Sequence, residues 1–425
     1  MQESFAYAGN ILRVNLSTGQ ISLLPTSEYA ERFVGGRGVA AKLYWDLVKP
    51  ETRPLSPENC LIFATGPLGG FAGFSSTRCQ VVFKSPASIP ESYNYANLGG
   101  HWPAQLKFAG YDALLIEGVS DKPVYLEIKD DRVEIRDAAH LWGRPGVEVR
   151  EAIKSELGRD FRVLAIGPAG ENLATMANLL ADGDASGSSG GGAVMGSKKL
   201  KAIAVRGTGK LRVAQPEKVR EQVRRLRDLT RRSPFQHEDM DSEGPRYKRD
   251  ACFGCIGNCY SRFIYTAQDG TRGKYMCQSG RFYQTRAARY YGEVNEVPKL
   301  ATRLCDTMGL DSWAIETMIM WLSRCIQAGV LTDDNTGLPM SKLGSLEFIE
   351  ALLKGIAYRQ GFGDVLAHGT SRAAAIIGGK APALITDFMY SRSDQFTAYG
   401  PRMFITTGIF LAMEPRHPIQ QLHEV

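Results

Sequence analysis

Hydrophobic and polar positions alternate in short stretches over the first half of the chain. Residues 11–16 and 21–24 flank one polar turn, and residues 124–128 and 133–135 flank another, so the pattern predicts two β-hairpins. Other short apolar stretches are bounded by glycine clusters and predict further strands, at 61–64 and 114–116. This half is therefore predicted to be rich in β-structure.

Helical periodicity replaces the alternation after about Gly207. Apolar residues spaced three and four apart predict a helix over 217–231. Two more helices are predicted with a glycine just beyond each end, at 313–328 and 346–359. The change of pattern places a domain boundary close to residue 209.

Composition agrees with two hydrophobic cores. The chain has 425 residues, of which 44% are hydrophobic and 23% charged, as in ordinary globular proteins of more than one domain. Together with the patterning, this predicts an α+β protein. A β-rich N-terminal domain spans 1–209, and a mainly helical domain spans 210–425.

The charge is modest and excludes one class of partner. The formal net charge of +6 is spread along the chain, and no aromatic RNA-binding motif accompanies it, so no nucleic-acid partner is expected. Six arginines cluster between Arg220 and Arg232. Such a cluster is usually a solvated helix face, and the alternative is a docking site for an acidic partner.

The chain shows no export or membrane signal. Residues 1–4 are not followed by a basic and apolar leader, and no window reaches the roughly 18 apolar residues of a membrane span. A cytoplasmic location with no membrane span is therefore predicted. In that setting the eight cysteines are expected to be metal ligands and buried thiols rather than disulfides.

Three cysteines form the most specific motif. Cys252, Cys255 and Cys259 follow the spacing C-x2-C-x3-C, and glycines between them let the backbone curl around an inorganic cluster. A zinc site normally needs a second cysteine or histidine pair, which is missing here. A [4Fe–4S] cluster is therefore the preferred interpretation, with its fourth ligand supplied from elsewhere.

Glycine-rich loops are the second feature. They occur at 35–38, 66–70, 97–100 and 188–196, and any one of them alone would be an ordinary turn. Together they are typical of a large ligand with phosphates, for which Arg78, Lys198 and Lys199 are candidate counter-charges. None matches a Walker A loop or a Rossmann fingerprint. An enzyme that binds nucleotide phosphates stays open as an alternative.

The order of these motifs resembles that of the tungstopterin aldehyde:ferredoxin oxidoreductase family. The resemblance rests on seven segments that cover nearly the whole chain, GGRGVAAKLYWD at 35–46, TGPL at 65–68, ANLGG at 96–100, LKFAGYD at 106–112, IGPAGEN at 166–172, GAVMGSKKLKAI at 192–203 and the cysteine triplet.

The family resemblance implies a β-rich domain that cradles a tungsten, or less often molybdenum, bis-pterin and helical domains that add the cluster. It implies that Asn97 helps to hold a Mg²⁺ that links the pterin phosphates. It also implies contacts from three segments to the pterins or their phosphates, namely Gly99 and Gly100, Gly190, Gly191, Gly192 and Ala193, and the element Asp306, Gly309, Leu310 and Asp311. Read without the resemblance, the last of these segments is simply the end of one helix and the N-cap of the next.

One departure from the family concerns the metal. Aldehyde-oxidising members carry an acid near the tungsten in a Gly-Pro-Glu-Tyr-Glu-Thr type of segment, and this chain has Cys277 and the residues after it instead. In a branch that reduces the ring of benzoyl-CoA, a cysteine reaches the tungsten from about this place. Cys277 is therefore a candidate tungsten ligand, and a buried, inert thiol is the alternative.

Proton donors are sought in the last segment of the chain. Glu414, His417 and His423 lie in a polar stretch and are candidate catalytic residues, because the pKa of a histidine is easily moved into the working range. His101, directly after the glycine pair at 99–100, is a further candidate. Surface placement is the default for each.

The family resemblance implies partners. Family members continue beyond the equivalent of Val425 into a further helical domain with the fourth cluster cysteine, so a missing C-terminal region or another polypeptide is expected to complete the protein. Ferredoxin or an iron–sulfur subunit is expected to exchange electrons with it. The leading hypothesis is oxidation of aldehydes to carboxylates, or the reverse. Dearomatisation of benzoyl-CoA-type thioesters and a non-catalytic electron-relay subunit are the alternatives.

Overall fold

The protein was described from a computed structural model. The structure describes residues 5–231, 247–256, 263–275, 282–389, 391–396 and 405–415.

Fifteen strands occur in the described residues, most of them in the first half. They are β1 (Asn10–Asn15), β2 (Ile21–Pro25), β3 (Leu61–Thr65), β4 (Cys79–Ser85), β5 (Ser92–Leu98), β6 (Tyr111–Glu117), β7 (Val124–Lys129), β8 (Arg132–Asp137), β9 (Arg162–Ala165), β10 (Leu179–Ala181), β11 (Ala185–Gly187), β12 (Leu200–Arg206), β13 (Tyr247–Arg249), β14 (Phe263–Thr266) and β15 (Arg272–Tyr275).

The same residues contain fifteen α-helices, and the longer ones lie in the second half. They are α1 (Ser27–Phe33), α2 (Arg37–Leu47), α3 (Trp102–Phe108), α4 (Gly146–Leu157), α5 (Pro168–Glu171), α6 (Gly191–Ser197), α7 (Pro216–Arg231), α8 (Gln284–Tyr291), α9 (Val297–Met308), α10 (Ser312–Gln327), α11 (Asp333–Thr336), α12 (Leu346–Tyr358), α13 (Phe362–Leu366), α14 (Thr370–Ile377) and α15 (Ile405–Met413). No helix in these ranges is long and apolar enough to cross a membrane.

Two six-stranded mixed sheets form the first half. Their strand orders are β2-β1-β6-β3-β4-β5 and β11-β10-β9-β12-β7-β8. Both predicted hairpins are confirmed, as β1 with β2 and as β7 with β8. The parallel pairings of β1 with β6 and of β7 with β12 join strands far apart in sequence.

The sheets pack face to face and a helix covers each outer face. One core lies between them, where Leu12 and Phe63 of the first sheet join Leu126 and Ile203 of the second. On the outer faces, α2 packs on the first sheet and α4 on the second, each through its own buried cluster. This layering explains why the central strands are apolar on both faces.

The second half is built on a helical core that includes Trp321, Phe348 and Leu352. The three helices predicted from periodicity are confirmed as α7, α10 and α12, with ends within about one residue of the prediction. The half is nevertheless not helical throughout, because β13, β14 and β15 form a three-stranded antiparallel sheet. In the sequence, β13 precedes the cysteine motif, and β14 and β15 follow it.

The α+β class and the β-rich character of the first half are thus confirmed. Residues 176–178 join the two halves by pairing with the turn after α9. Ala177 forms a β-bridge with Leu310, the Asn178 amide donates to the Gly309 carbonyl at 2.8 Å, and the Asp311 amide donates to the Met176 carbonyl at 3.0 Å.

Candidate cofactor and cluster site

The loop after β5 lies directly on the first cysteine of the motif. The backbone N–H of Gly100 donates to the Cys252 Sγ at 3.1 Å. At Gly99, a Cβ would lie 3.0 Å from the same sulfur and 3.9 Å from the Arg78 Cγ. Only glycine leaves room for this approach, so the loop and the cysteine are fitted to each other.

The cysteine segment is clamped by backbone contacts on both sides. The Phe253 amide donates to the Gly100 carbonyl at 3.1 Å, and the Gly73 amide donates to the Gly254 carbonyl at 2.7 Å. The Thr77 hydroxyl donates to the Phe253 carbonyl. These bonds hold the chain between the loop 66–77 and the loop after β5.

The second cysteine of the motif is held near the same loop. The Cys255 Sγ lies 3.3 Å from the Ser75 Oγ. Both Cys252 and Cys255 are partly exposed, unlike Cys60, Cys79, Cys305 and Cys325, which are buried. Cys259 lies outside the described residues. Two of the three predicted cluster ligands are therefore adjacent and accessible.

Asn97 and Arg78 flank this contact on the first sheet. Asn97 pairs with Gln80 across β4 and β5, and its side-chain oxygen accepts a hydrogen bond from the Gln80 amide. The Arg78 side chain is exposed at the start of β4. The predicted magnesium and phosphate contacts thus share one sheet end with the cysteines, and their roles stay predictions.

The two halves meet where residues 176–178 pair with the turn after α9, and this contact region is called the seam. The loop before α6 is buried in it. Gly190 has a φ of 82°, and a Cβ there would lie 2.6 Å from the Thr175 carbonyl. Gly191 and Gly192 pack equally closely, against Phe83 and the Asn178 carbonyl, and Ala193 is fully buried. Close packing alone accounts for the small residues here, so phosphate binding by this loop stays a prediction.

Asp306 carries an oxygen without a partner. The residue is buried near the end of α9, and its Oδ2 has no hydrogen bond within the described parts of the chain. Burial raises the pKa of Asp306 to about 6, and the charge of Asp184 adds to the effect while Lys274 opposes it. Such an acceptor suits the amine of a cofactor ring that would enter the seam.

The other residues of the predicted Asp306–Asp311 element make contacts that stabilise the backbone. Gly309 ends α9 with a φ of 77°, and Leu310 pairs with residue 177. Asp311 caps α10 by accepting from the Trp313 amide at 3.0 Å, and its other oxygen accepts from Gln395 at 2.7 Å.

A network of buried charges beside Asp306 was not predicted. Asp184 accepts from Arg150 of α4, from the backbone amide of Lys274 on β15 at 3.3 Å, and from Arg303 of α9 at 3.4 Å. Burial acts to raise the pKa of Asp184, but the positive charges of the Arg150, Lys274 and Arg303 side chains hold that pKa below its usual range. No local pattern marks the network, because its members come from four distant segments.

The network connects Asp306 to the cysteine loop. The Lys274 Nζ lies 4.0 Å from the Asp306 Oδ1 and also donates to the Asp184 carbonyl. The turn 182–185 in turn packs on Gly100, where a Cβ would lie 2.9 Å from the Asp182 carbonyl. The contacts therefore run from Asp306 to Cys252 without a break.

Glu414 is fixed beside β5. Its carboxylate accepts from the Tyr95 hydroxyl at 2.9 Å and pairs with Arg37 at 3.3 Å, and the Arg37 guanidinium lies over the Tyr95 ring at 4.9 Å. Tyr95 is two residues before Asn97. Of the proposed catalytic residues, Glu414 and the further candidate His101 lie in the described part of the chain, and Cys277, His417 and His423 lie outside it.

The structure corrects the role expected for Lys198. Its ammonium is fully buried and donates to the carbonyls of Pro57, Asn59 and Gly118, so it is not available to a phosphate. Lys199 is committed elsewhere as well, to the Asp121 carbonyl at 2.6 Å. His101 faces the cysteine segment, with its Nε2 3.2 Å from the Ala251 carbonyl.

Comparison with known proteins gives a consistent assignment. The family profile described as the N-terminal domain of aldehyde ferredoxin oxidoreductase matches residues 11–207, and the one for domains 2 and 3 matches residues 199–423. The tungsten-containing aldehyde ferredoxin oxidoreductase of Thermococcus kodakarensis is 36% identical over 87% of this chain and 67% of its own. The protein of the same name from Pyrococcus furiosus is 34% identical over 93% of this chain and 70% of its own.

A solved structure agrees with the described fold. It is the active-site complex BamBC of benzoyl coenzyme A reductase with 1,5-dienoyl-CoA. The match has a TM-score of 0.82 and 30% sequence identity, and it covers 92% of this chain and 66% of the other. The chain thus spans about two thirds of the length of the relatives it matches.

Proposed function

Because the chain belongs to the aldehyde ferredoxin oxidoreductase family, we propose that it exchanges electrons between an aldehyde or carboxylate substrate and ferredoxin or a partner iron–sulfur subunit. The chain is an oxidoreductase of a tungsten-containing family. What we propose is the identity of its substrate class. The hydrogen bond from the Gly100 amide to the Cys252 sulfur carries it. That bond connects the loop proposed to contact a pterin with a cysteine proposed to bind the cluster. Amide hydrogen bonds to thiolate ligands also shift the reduction potential of such clusters.

The residues fit the cofactors that the family implies. We propose Cys252, Cys255 and Cys259 as ligands of a [4Fe–4S] cluster and Asn97 as a contact of the bridging Mg²⁺. The unpartnered Oδ2 of Asp306 supports a pterin contact from the helical half. When bound, the tungsten bis-pterin would supply two-electron chemistry and the cluster single-electron relay. A reducing compartment such as the cytoplasm suits these exposed thiolates.

The chain's own residues would orient the substrate and move protons. Arg37 and Tyr95 fix the Glu414 carboxylate beside β5, on which Tyr95 stands two residues before Asn97. The carboxylate accepts from the Tyr95 hydroxyl, so it is placed to take a proton from a substrate and to return that proton later. His417 and His423 follow it in sequence and remain proposed donors.

A second function is favoured by the structural match and by Cys277. The benzoyl coenzyme A reductase complex has a TM-score of 0.82 with this chain, and the acid of aldehyde-oxidising members is missing. We therefore keep reductive dearomatisation of benzoyl-CoA-type thioesters as the alternative, with Cys277 as a tungsten ligand. A partner subunit that exchanges electrons with this chain fits both functions.

One experiment separates these proposals. Anaerobically purified protein is analysed for tungsten, iron and pterin, and then assayed with simple aldehydes and with benzoyl-CoA against a viologen dye. Aldehyde oxidation that survives Cys277→Ala, with the sulfur count at tungsten unchanged by X-ray absorption, selects the aldehyde enzyme. Turnover of benzoyl-CoA that Cys277→Ala abolishes selects the alternative. Iron without tungsten or turnover would identify a non-catalytic relay subunit and contradict both.

A further inference from the structure

Helix α7 is unusual for its exposure and its charge. It has sixteen residues, none of them buried, and it carries six basic side chains against three acidic ones. Only Val219, Val223 and Leu226 are partly covered. A helix that buries so little apolar surface gains little from packing, and its six basic side chains are exposed, with Arg220 paired to Glu217 of the same helix.

An apolar groove runs along this helix. Its floor is formed by Phe5, Leu68, Phe71 and Phe74, and its wall by the α7 residues Lys218, Val219 and Gln222. Leu68, one of the lining residues, is 46% exposed. Apolar surface rimmed by charge is typical of a protein-binding site rather than of a solvated face.

The groove adjoins the two described cysteines of the cluster motif. Phe71 and Phe74 belong to the loop whose Gly73 amide binds the Gly254 carbonyl and whose Ser75 contacts Cys255. The same glycine touches α7, because a Cβ at Gly73 would lie 2.5 Å from a methyl of Val223. One short loop therefore separates the groove from Cys255.

From these three observations we propose that the groove between loop 68–74 and α7 docks an acidic, iron–sulfur electron-transfer protein. The proposal rests on the proposed function, because it assumes a cluster at the cysteines. The partner would take one electron from that cluster, or return one, at each encounter. Carboxylates around its own exposed cluster would meet the basic rim, and an apolar side chain would cover Leu68. Weak redox complexes of this kind need only a small interface and gain their speed from charge steering.

The test reverses charge on the rim. Lys218→Glu with Arg225→Glu changes two exposed positions about two turns apart on the same side of α7, and Lys218 lines the groove. The matched control, Arg159→Glu with Lys354→Glu, makes the same change in net charge at exposed positions of other elements. A recombinant acidic [4Fe–4S] ferredoxin is the probe, with the anaerobic holoenzyme.

The groove variant should raise the KM for ferredoxin about tenfold at low salt and flatten its salt dependence, while the control stays within about twofold. The kcat with a viologen dye should be unchanged in both, since a small dye needs no docking surface. Leu68→Asp should weaken ferredoxin binding in the same way, and Leu23→Asp, on an equally exposed leucine of β2, should not.

Direct calorimetry of ferredoxin binding keeps this test separate from the proposed function. If viologen activity and tungsten are both absent, the proposed function fails, yet loss of binding in the groove variant alone still supports the docking site. If wild-type protein binds no ferredoxin at low salt, or if groove and control variants bind it equally, the docking proposal is overturned while the enzymatic function stands.

Discussion

At the scale of single residues, Asp306 is a buried carboxyl group, one oxygen of which has no hydrogen-bond partner among the described residues. Its pKa is raised to about 6 by burial, above the value near 3.9 of an unfolded aspartate. A raised carboxyl pKa stabilises the fold fully below about pH 4, and that contribution is lost as the pH rises through about 6. The cofactor-free protein should therefore lose stability over this window.

Asp306→Asn tests both the charge and the cofactor contact. The variant should flatten the fall in denaturant midpoint between pH 4 and 6 for cofactor-free protein, because no proton leaves at this site. The anaerobically purified variant should retain much less pterin, since an amide donates where a carboxylate accepts. Asp334→Asn, on exposed α11, is the control. Unchanged pterin content would contradict the proposed contact.

The cysteines differ in accessibility, and this gives a second prediction. Burial raises the pKa of the Cys60 thiol to about 12, so it stays protonated and inert at neutral pH. Cys255→Ser should abolish the paramagnetic resonance signal of the reduced cluster and lower the iron content. Cys60→Ser should leave both nearly unchanged. Equal losses in the two variants would contradict Cys255 as a cluster ligand and Cys60 as a structural thiol.

At the scale of elements, what the sequence predicted well was local. Hairpins and amphipathic helices follow from spacing within a few residues, and both hairpins and all three helices form as expected. The sheet β13–β15 was missed because its strands are only three or four residues long and flank a cysteine motif. The parallel pairs were not predictable either, since a hundred residues separate β1 from β6.

Lys198 shows how a motif misleads at this scale. Lys198 follows a glycine-rich loop, a position where lysines often bind phosphate. Its ammonium instead donates to three backbone carbonyls of other segments. Lys198→Met should lower the free energy of unfolding by about 3 kcal/mol or more, because buried carbonyls lose their donor. Lys199→Met, at the neighbouring half-buried position, removes a single bond to the Asp121 carbonyl and should lower it by only about 1 kcal/mol. Equal denaturant midpoints for the two variants would contradict this role.

At the scale of the whole molecule, the candidate site is a seam that no single segment encodes. Residues 78, 97–100, 182–185, 252–255 and 306 meet only because two sheets, a small third sheet and a helical layer pack together. The sequence supplied the cysteines and glycines as motifs. It could not supply Asp184 or Arg150, whose partners are 31 or more residues away.

The last prediction concerns Asp184, because its carboxylate joins three layers. Asp184→Asn removes the charge that balances Arg150, whose side chain is only 7% exposed, so an uncompensated cation is left in the seam. The free energy of unfolding should fall by about 3–5 kcal/mol. Asp137→Asn breaks an exposed pair with Lys122, which solvent screens, and should lower the free energy of unfolding far less. Because the cations hold the Asp184 pKa below its usual range, its contribution is present above about pH 4 and lost only as the pH falls further. The deficit should thus be constant from pH 6 to 8, and hydrogen exchange should rise first in β15, because Arg150 and the Lys274 amide then compete for the one remaining side-chain oxygen. A deficit no larger than that of Asp137→Asn, or exchange unchanged in β15, would show that the seam is held by apolar packing alone.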